Sequence, residues 1–164
     1  MTDFAFGPLV SPYSDRITSA LGASGSAPLV ANDIGKPVKL AGANNHVLCA
    51  AGDEIEGFLV ALSDGGTVNS GYSLGTVDRN STVTAKLDAA QAGTVAVGAL
   101  VVSGATQAVG TAIATYPLVK TGVATNMGGT PPVLGTPVNF KWRIVNIVSG
   151  TGVAGDLVTI ERVK

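Results

Sequence analysis

The sequence is poor in the side chains from which disulfide frameworks, metal centres and active sites are built. Its 164 residues include one cysteine and one histidine, so a single chain cannot form a disulfide and has almost no ligands for zinc. Charged residues make up 13% of the chain, about half of the ~25% found in an ordinary soluble domain. With so few catalytic groups we expect no enzyme, no cofactor and no metal.

The balance of charge and the lack of long apolar runs argue against two further partners. Ten Lys and Arg oppose eleven Asp and Glu, for a net charge of −1, which leaves no basic footprint for nucleic acid. Residues 89–119 carry no charge, but their longest wholly apolar run, counting Gly98, is Val95 to Val102. A membrane helix needs about 18 such residues. Asp3 also stands where a secretory signal has Lys or Arg. We expect no nucleic acid, no membrane span and no signal peptide.

The residues that are abundant favour β-structure. Val, Thr and Ile together number 45, against 30 for Leu, Glu, Lys, Arg, Gln and Met combined. β-branched side chains lose freedom in helices and pack well on a pleated sheet. The 22 glycines and 8 prolines divide much of the chain at intervals of about 8–12 residues, which is typical of sandwiches and barrels. The sequence therefore predicts an all-β fold, a small β-barrel or sandwich of short strands with an extended N-terminal arm.

The predicted organisation is an arm over residues 1–27 followed by a single β domain over 28–164. Within that domain, 89–137 is an uncharged variable segment apart from Lys120, and 138–164 is a C-terminal β-hairpin, in which Trp142 and Ile144 face one side and Lys141 and Arg143 the other. A short helix is predicted over 14–21, ending at Gly22. Further strands are predicted at 36–40, 46–50, 55–62, 71–77 and 81–87, with a hairpin turn at 64–66.

Two sequence motifs match enzyme signatures but lack the required context. Gly71-Tyr72-Ser73-Leu74-Gly75 fits a nucleophile elbow, yet the single histidine precedes it and a strand pattern follows. The run from Gly150 to Gly155 fits the dinucleotide pattern, but only nine residues follow it and they read as a strand. We interpret both motifs as turns flanking strands.

The remaining polar residues also have structural explanations. His46 and Cys49, three apart on a predicted strand, would point to opposite faces and could not close a zinc site, so Cys49 is interpreted as a small core residue. Asp53, Glu54 and Glu56 form the densest charge cluster. Because a calcium site needs more ordered oxygen ligands, we interpret this cluster as a solvated loop.

Several turn-and-strand stretches together resemble one family. In chain order they are Ile34-Gly35-Lys36-Pro37-Val38-Lys39-Leu40, Ala51-Gly52-Asp53-Glu54-Ile55-Glu56-Gly57-Phe58-Leu59-Val60, Gly71-Tyr72-Ser73-Leu74-Gly75-Thr76-Val77 and Gly155-Asp156-Leu157-Val158-Thr159-Ile160-Glu161-Arg162. They resemble the capsid decoration, or cement, proteins of tailed bacteriophages over residues 29–88 and 138–164.

The resemblance implies a small β-rich structural protein that docks as an oligomer on the outside of the expanded capsid and strengthens it. The expected partner is the major capsid protein, and the expected location is the outer surface of the virion after synthesis in the bacterial cytoplasm. The resemblance supplies no catalytic residues. The alternative is another virion β module, such as a tail or fibre/adhesin domain, since fold alone does not separate the two.

Candidate partner-binding residues come from two places. The arm contributes Phe4, Phe6, Tyr13 and Arg16, because aromatic side chains often anchor interfaces and this segment has too many breakers to fold alone. The uncharged segment contributes Val101, as the contact of a homotrimer seated where three capsomers meet. A homodimer at two-fold positions is the other assembly considered, and Val101 as a plain core residue is the other interpretation.

Overall fold

The structure, a computed structural model, describes residues 16–22, 27–41, 45–68, 72–80, 82–113, 115–122 and 141–163. These residues form ten β-strands and one 3₁₀ turn, Ala31–Asp33, and no α-helix occurs among them. The strands close into two barrels of five. The predicted all-β class is therefore confirmed, and of the two predicted architectures the barrel is the one observed.

The first barrel takes the N-terminal half of the described strands. It consists of β1 (Arg16–Gly22), β2 (Pro37–Ala41), β3 (Asn45–Leu48), β4 (Gly57–Val68) and β5 (Tyr72–Asp78). The strand order around the barrel is β1-β3-β2-β4-β5, and β1 closes it by pairing with β5 over seven residues. Its core is aliphatic: Leu21, Leu29, Val38, Leu59 and Val77.

The second barrel takes the C-terminal half. It consists of β6 (Val83–Leu87), β7 (Leu100–Ser103), β8 (Leu118–Thr121), β9 (Trp142–Ile147) and β10 (Leu157–Arg162). The order is β10-β6-β8-β7-β9, closed by the antiparallel pair β9–β10. Trp142 and Ile144 are fully buried and Arg143 is exposed, as the alternation in the sequence predicts. This hairpin turns through glycines with positive φ, Gly150 and Gly152.

The two barrels repeat one topology strand for strand, β1 to β5 corresponding to β6 to β10. In each barrel the first and third strands are parallel, and the other four pairs are antiparallel. The registers also correspond, because Leu21 faces His46 on the neighbouring strand and Leu87 faces Val119 in the same way. The described part of the chain thus contains the same five-stranded barrel topology twice in tandem.

An irregularity in one strand pair is duplicated with it. Both β4–β5 and β9–β10 skip one residue on the first strand, Val60 in one barrel and Val145 in the other. The flanking pairs are Leu59–Val77 and Ala61–Thr76 in the first barrel, and Ile144–Ile160 and Asn146–Thr159 in the second. A bulge bends its strand and is a specific feature of a fold. Because it recurs at the same place, individual residues of one barrel can be matched to individual residues of the other.

The turn that leads into the second strand of each barrel is duplicated too. Gly35 has φ 92° and donates its N–H to the carbonyl oxygen of Leu59 at 2.6 Å. Gly98 has φ 91° and donates to Ile144, the counterpart of Leu59, at 2.7 Å. A φ in this range is costly for any residue with a Cβ, which explains why glycine stands at both positions.

Two sequence expectations are wrong in their details. Residues 14–21 do not form a helix in their described part: β1 runs from Arg16 to Gly22 and buries Leu21, so the predicted arm overlaps a barrel strand. The pairing of β1 with β5 outweighs the weak helical spacing. The strand β4 continues to Val68, past the turn predicted at 64–66, although its ladder breaks between Leu62 and Thr67.

The segment 89–137, described from its sequence only as uncharged and variable, contributes β7 and β8 to the second barrel.

No helix among the described residues is long and apolar enough to cross a membrane.

Candidate functional site

The two barrels meet at a cluster of charges centred on one buried carboxylate. Glu56, 6% exposed, precedes β4, and its carboxylate accepts hydrogen bonds from Lys141, from Arg162 at 3.2 Å and from Arg79 at 3.4 Å. Lys141 also pairs with Glu54 at 2.7 Å. A buried carboxylate must be paired to persist, and here the pairing groups come from both barrels. We call these five residues the junction cluster.

Pairs of equivalent positions meet in the junction cluster. Glu56 lies one residue before β4 and Lys141 one residue before β9, and they form an ion pair with each other. Arg79 directly follows β5, and Arg162 occupies the equivalent position at the end of β10. The guanidinium of Arg162 donates a hydrogen bond to the carbonyl oxygen of Arg79 at 3.5 Å. Equivalent positions of the two barrels therefore meet one another in the junction cluster.

The junction cluster sets the protonation of its members. Burial alone would raise the pKa of Glu56, but the hydrogen bond and charge of Lys141, together with Arg162 and Arg79, hold that pKa below its ordinary value. Burial alone would lower the pKa of Lys141, but its hydrogen bonds to Glu54 and Glu56 raise that pKa above its ordinary value. The Glu56 carboxylate and the Lys141 ammonium thus stay ionised over a wider range of pH than free side chains would.

His46 lies on β3 within the field of the junction cluster. Its imidazole is buried, and burial is the main reason why its pKa lies below the ordinary value. The positive charges of Arg79 and Lys141 lower the pKa further, and the negative charge of Glu56 partly opposes them. His46 is therefore held in its neutral form near pH 7.

Apolar contacts join the barrels beside the charges. Phe58, the second residue of β4, meets Trp142 edge to face with ring centroids 5.0 Å apart. Cys49 and Ile55, from the connection between β3 and β4, are buried in the same cluster as the core of the second barrel. Aromatic pairs of this geometry add about 0.5–1.5 kcal/mol beyond the area that they bury. The core of the second barrel is completed by residues from the first half of the chain.

A second polar tie lies at the 3₁₀ turn. Lys36 and Asp33 form a buried ion pair at 2.5 Å. Lys36 also donates to the carbonyl oxygen of Ala108, and Asp33 accepts the N–H of Gly110 at 2.8 Å. Both partners lie between β7 and β8, so this pair fastens the first barrel to a loop of the second. A recess of about 210 Å³ beside Lys36 is lined mainly by small residues of that loop.

Backbone hydrogen bonds add a third tie. Gly52 donates to Ser103 at 2.8 Å, Ser103 donates to Asp53 at 3.0 Å, and Gln107 donates to Cys49 at 2.9 Å. Inter-domain contacts that are small and polar leave domains free to move. Here charged, apolar and backbone contacts all join the two barrels.

Both enzyme-like motifs have structural roles. Ser73 lies within β5 and its hydroxyl donates to the carbonyl oxygen of Leu29 at 3.2 Å. In the run 150–155, the backbone N–H groups of Thr151, Gly152 and Val153 all donate to the carboxylate of Asp156 at 2.8–3.0 Å. These three hydrogen bonds lower the pKa of Asp156, and the bond from Val153 has the largest effect. The protein's own carboxylate thus fills the concavity that the dinucleotide interpretation would give to a phosphate.

The structure places the predicted site residues as follows. Phe4, Phe6 and Tyr13 lie outside the described residues. Arg16 begins β1, where its backbone is in register with Asp78. Val101 is 1% exposed and belongs to the core of the second barrel. Its side chain cannot reach a partner from there, and the interpretation of Val101 as a core residue is the correct one.

The outcomes for the remaining polar residues are mixed. Cys49 is a buried free thiol whose pKa burial raises, which agrees with its interpretation as a core residue. Glu56, in contrast, is not part of a solvated loop, because three cations allow it to be buried. No group of three or more potential metal ligands lies together in the part of the chain that the structure describes.

Exposed aliphatic side chains are the other feature of functional interest. Among the described residues, eleven large aliphatic side chains are exposed, in chain order Val30, Ile34, Leu40, Val60, Leu74, Val97, Leu100, Val109, Val148, Val153 and Val163. Two of them, Ile34 and Val97, occupy the same position in the two barrels, immediately before Gly35 and Gly98.

The duplication was missed from the sequence, although it left a signal there. Thr76-Val77-Asp78-Arg79 and Thr159-Ile160-Glu161-Arg162 are equivalent stretches with matching residue classes. The spacing between equivalent strands differs along the chain, because the connection before β9 is longer than the one before β4. A search at one fixed period therefore fails.

Comparisons with protein-family models, with curated proteins and with solved structures find no match to this chain.

Proposed function

We propose that the protein is a structural component of a virus particle that binds the outer surface of the expanded bacteriophage capsid. There it would stabilise the shell by bridging neighbouring subunits of the major capsid protein. The observation that carries the proposal is the pair of equivalent barrels fixed to each other by the junction cluster.

A bridging protein needs two binding faces held at a constant separation. A flexible connection would let neighbouring subunits move apart before the bridge resisted. In this chain Glu56, Lys141, Arg79 and Arg162 join the barrels directly, and the Phe58–Trp142 contact lies beside them. Two barrels of the same topology, joined by these contacts, suit such a clamp, and many copies on one shell multiply the effect through avidity.

Surface composition and the family resemblance support the same role. The chain has few charges for its size, and eleven large aliphatic side chains are exposed in the part that the structure describes. A surface with little charge is a liability for a protein that stays alone in solution, and it suits one that is covered by partners. The resemblance of residues 29–88 and 138–164 to decoration proteins points to a capsid as that partner.

The assembly that we propose is a homotrimer where three capsomers meet, with a homodimer at two-fold positions as the alternative. A trimer of duplicated chains presents six barrels, so each of the three capsomers can meet two of them. Val101 takes no part in the contact between chains because its side chain is in the core.

The test is to add the purified protein to expanded heads that lack it and to image them by cryo-electron microscopy. We expect extra density on the outer surface at three-fold positions, and decorated heads should retain their DNA at a higher temperature than bare heads. Bare heads after incubation with excess protein would refute the proposal. Density confined to the tail or fibres would support the other virion role instead.

A further inference from the structure

We infer that the first barrel is the template on which the second barrel folds. The second barrel depends on contacts with Cys49, Ile55 and Phe58, whereas the first barrel stays folded when the second one opens. This dependence concerns how the chain folds and opens, and it holds whatever the protein binds. The structural basis is one-sided packing: residues of the first half complete the core of the second barrel, and the described residues show no such contribution in return.

The two hydrophobic cores differ in which half of the chain supplies them. Among the described residues, twelve buried side chains form the core of the second barrel, and Cys49, Ile55 and Phe58 are three of them. The core of the first barrel has five buried members and three partly buried ones, and the last of these along the chain is Val77. Burial of apolar surface is the main force that stabilises a fold. Opening the second barrel therefore leaves the first core complete, whereas opening the first takes three members from the second.

Equivalent positions of the two barrels show the same asymmetry. Phe58 packs against Trp142 of the second barrel, whereas its counterpart on β9, Arg143, is exposed. Cys49 and its counterpart Gly122 each donate an N–H to the first residue of the second strand of their barrel, at 3.1 and 3.0 Å. Cys49 adds a side chain to the core of the other barrel, and Gly122 has none to add.

The polar ties between the barrels are also one-sided. Asp33 and Lys36 form their buried ion pair within the first half of the chain, and Glu56 has Arg79 of its own barrel at 3.4 Å. Both carboxylates thus keep a cation when the second barrel opens. Lys141, in contrast, forms its described ion pairs with two carboxylates of the first half. A charge that loses its partners in a buried site is costly, and here that cost falls on the second barrel.

The order of the barrels along the chain suits this dependence. The first barrel ends with β5 at Asp78, and the second begins with β6 at Val83. Domains fold during synthesis from the N-terminal end, so the first barrel is complete before the strands of the second are made. Cys49, Ile55 and Phe58 are then in place when those strands arrive.

Native-state hydrogen exchange of the full-length protein, followed by mass spectrometry, reports the opening of each barrel separately. The adjacent residues Phe58 and Leu59 lie on one strand and belong to the cores of different barrels. Phe58→Ala and Ile144→Ala, both in the second core, should raise the slowest exchange rates of β6 to β10 at least roughly 30-fold and leave those of β1 to β5 close to wild type. Leu59→Ala should raise the rates in both barrels. The matched control is Arg143→Ala, at the exposed position equivalent to Phe58, which should exchange as wild type does.

Two results would overturn the inference. Equal increases in both barrels for Phe58→Ala, Ile144→Ala and Leu59→Ala would mean that the barrels unfold as one unit. An increase confined to the first barrel in Leu59→Ala would mean that the second barrel needs no template. Leu59→Val and Phe58→Leu, which leave smaller cavities, replace any variant that circular dichroism shows to be unfolded. Because exchange is measured on the free protein, a failure to bind heads would refute the proposed function without changing any of these results.

Discussion

Glu56 and Lys141 occupy the same position in the two barrels and form an ion pair with each other. Two like charges at this point of contact would repel. Here one position carries a carboxylate and the other an ammonium, so the two barrels are complementary in charge where they meet.

Replacing Glu56 by glutamine should destabilise the protein by about 2–3 kcal/mol. The change leaves Arg79, Lys141 and Arg162 facing one another without the carboxylate. Breaking a buried pair costs about 3–5 kcal/mol, and we expect less because the three cations are partly exposed. Urea unfolding followed by tryptophan fluorescence would report the loss, since Trp142 lies beside the cluster.

The control for that variant is Glu161→Gln, which removes an exposed pair with Arg143 at 2.7 Å. Exposed pairs contribute about 0–1 kcal/mol, so this variant should unfold almost as wild type does. Equal losses in the two variants would mean that the junction cluster is no more important than an ordinary surface pair.

Stability should fall in two stages as the pH is lowered. The pKa of His46 is depressed below its ordinary value of 6.5, so its contribution is complete above pH 6.5 and is lost as the pH falls towards the folded-state pKa. The pKa of Glu56 is depressed below 4.5, so a second loss follows below pH 4.5. Thermal melts between pH 8 and pH 3 would show both stages. His46→Gln should remove the first stage alone, and a variant that keeps it would contradict this assignment.

The single barrel is the part of the fold that local sequence patterns could predict. The strands at β2, β3, β4, β5, β6, β9 and β10 follow from alternation and turn residues, which act over a few positions. The strand β1 could not be predicted in this way, because the spacing over 14–21 fits a weak helix. Pairing with β5, at least 50 residues away, makes it a strand. Tertiary contacts outweigh local propensity there.

The junction cluster could not be predicted for a similar reason. A charge-rich turn at Asp53, Glu54 and Glu56 is normally solvated, and its sequence carries no sign of the cations that lie up to 106 positions away. Burial of Glu56 depends on Arg162 and Lys141, which arrive through the second barrel. Where distant segments surround a residue, as they do Glu56, local composition and spacing predict its exposure wrongly.

Substituting alanine at Gly150 should cost more than the same change at Gly155. Both glycines have positive φ, 79° and 92°, which costs about 1–2 kcal/mol for an alanine. At Gly155 a Cβ meets nothing within 4 Å, whereas at Gly150 it would collide with the carboxylate of Asp156. Gly150→Ala must therefore also displace the acceptor of three backbone bonds. The melting temperature of Gly150→Ala should lie below that of Gly155→Ala. Identical melting temperatures would contradict the role assigned to Asp156.

Val101→Asp should unfold the second barrel instead of dissociating folded chains. Val101 is in register with Thr121 and Trp142 and is buried among aliphatic side chains. An unpaired carboxylate there costs several kcal/mol. Far-UV circular dichroism together with analytical ultracentrifugation separates the two results. A folded, smaller species would restore the interface role predicted from the sequence.

Removing residues 1–15 and removing residues 1–22 should have different consequences. The longer deletion takes away all of β1, which pairs with β5 over seven residues and buries Leu21, so the first barrel loses its closure and the protein should unfold or aggregate. The shorter deletion keeps every described strand and removes Phe4, Phe6 and Tyr13. We expect it to remain folded by circular dichroism and to bind expanded heads more weakly, because aromatic side chains often anchor interfaces. Binding at wild-type occupancy after the shorter deletion would show that these aromatics are dispensable, and would leave the docking to the two barrels.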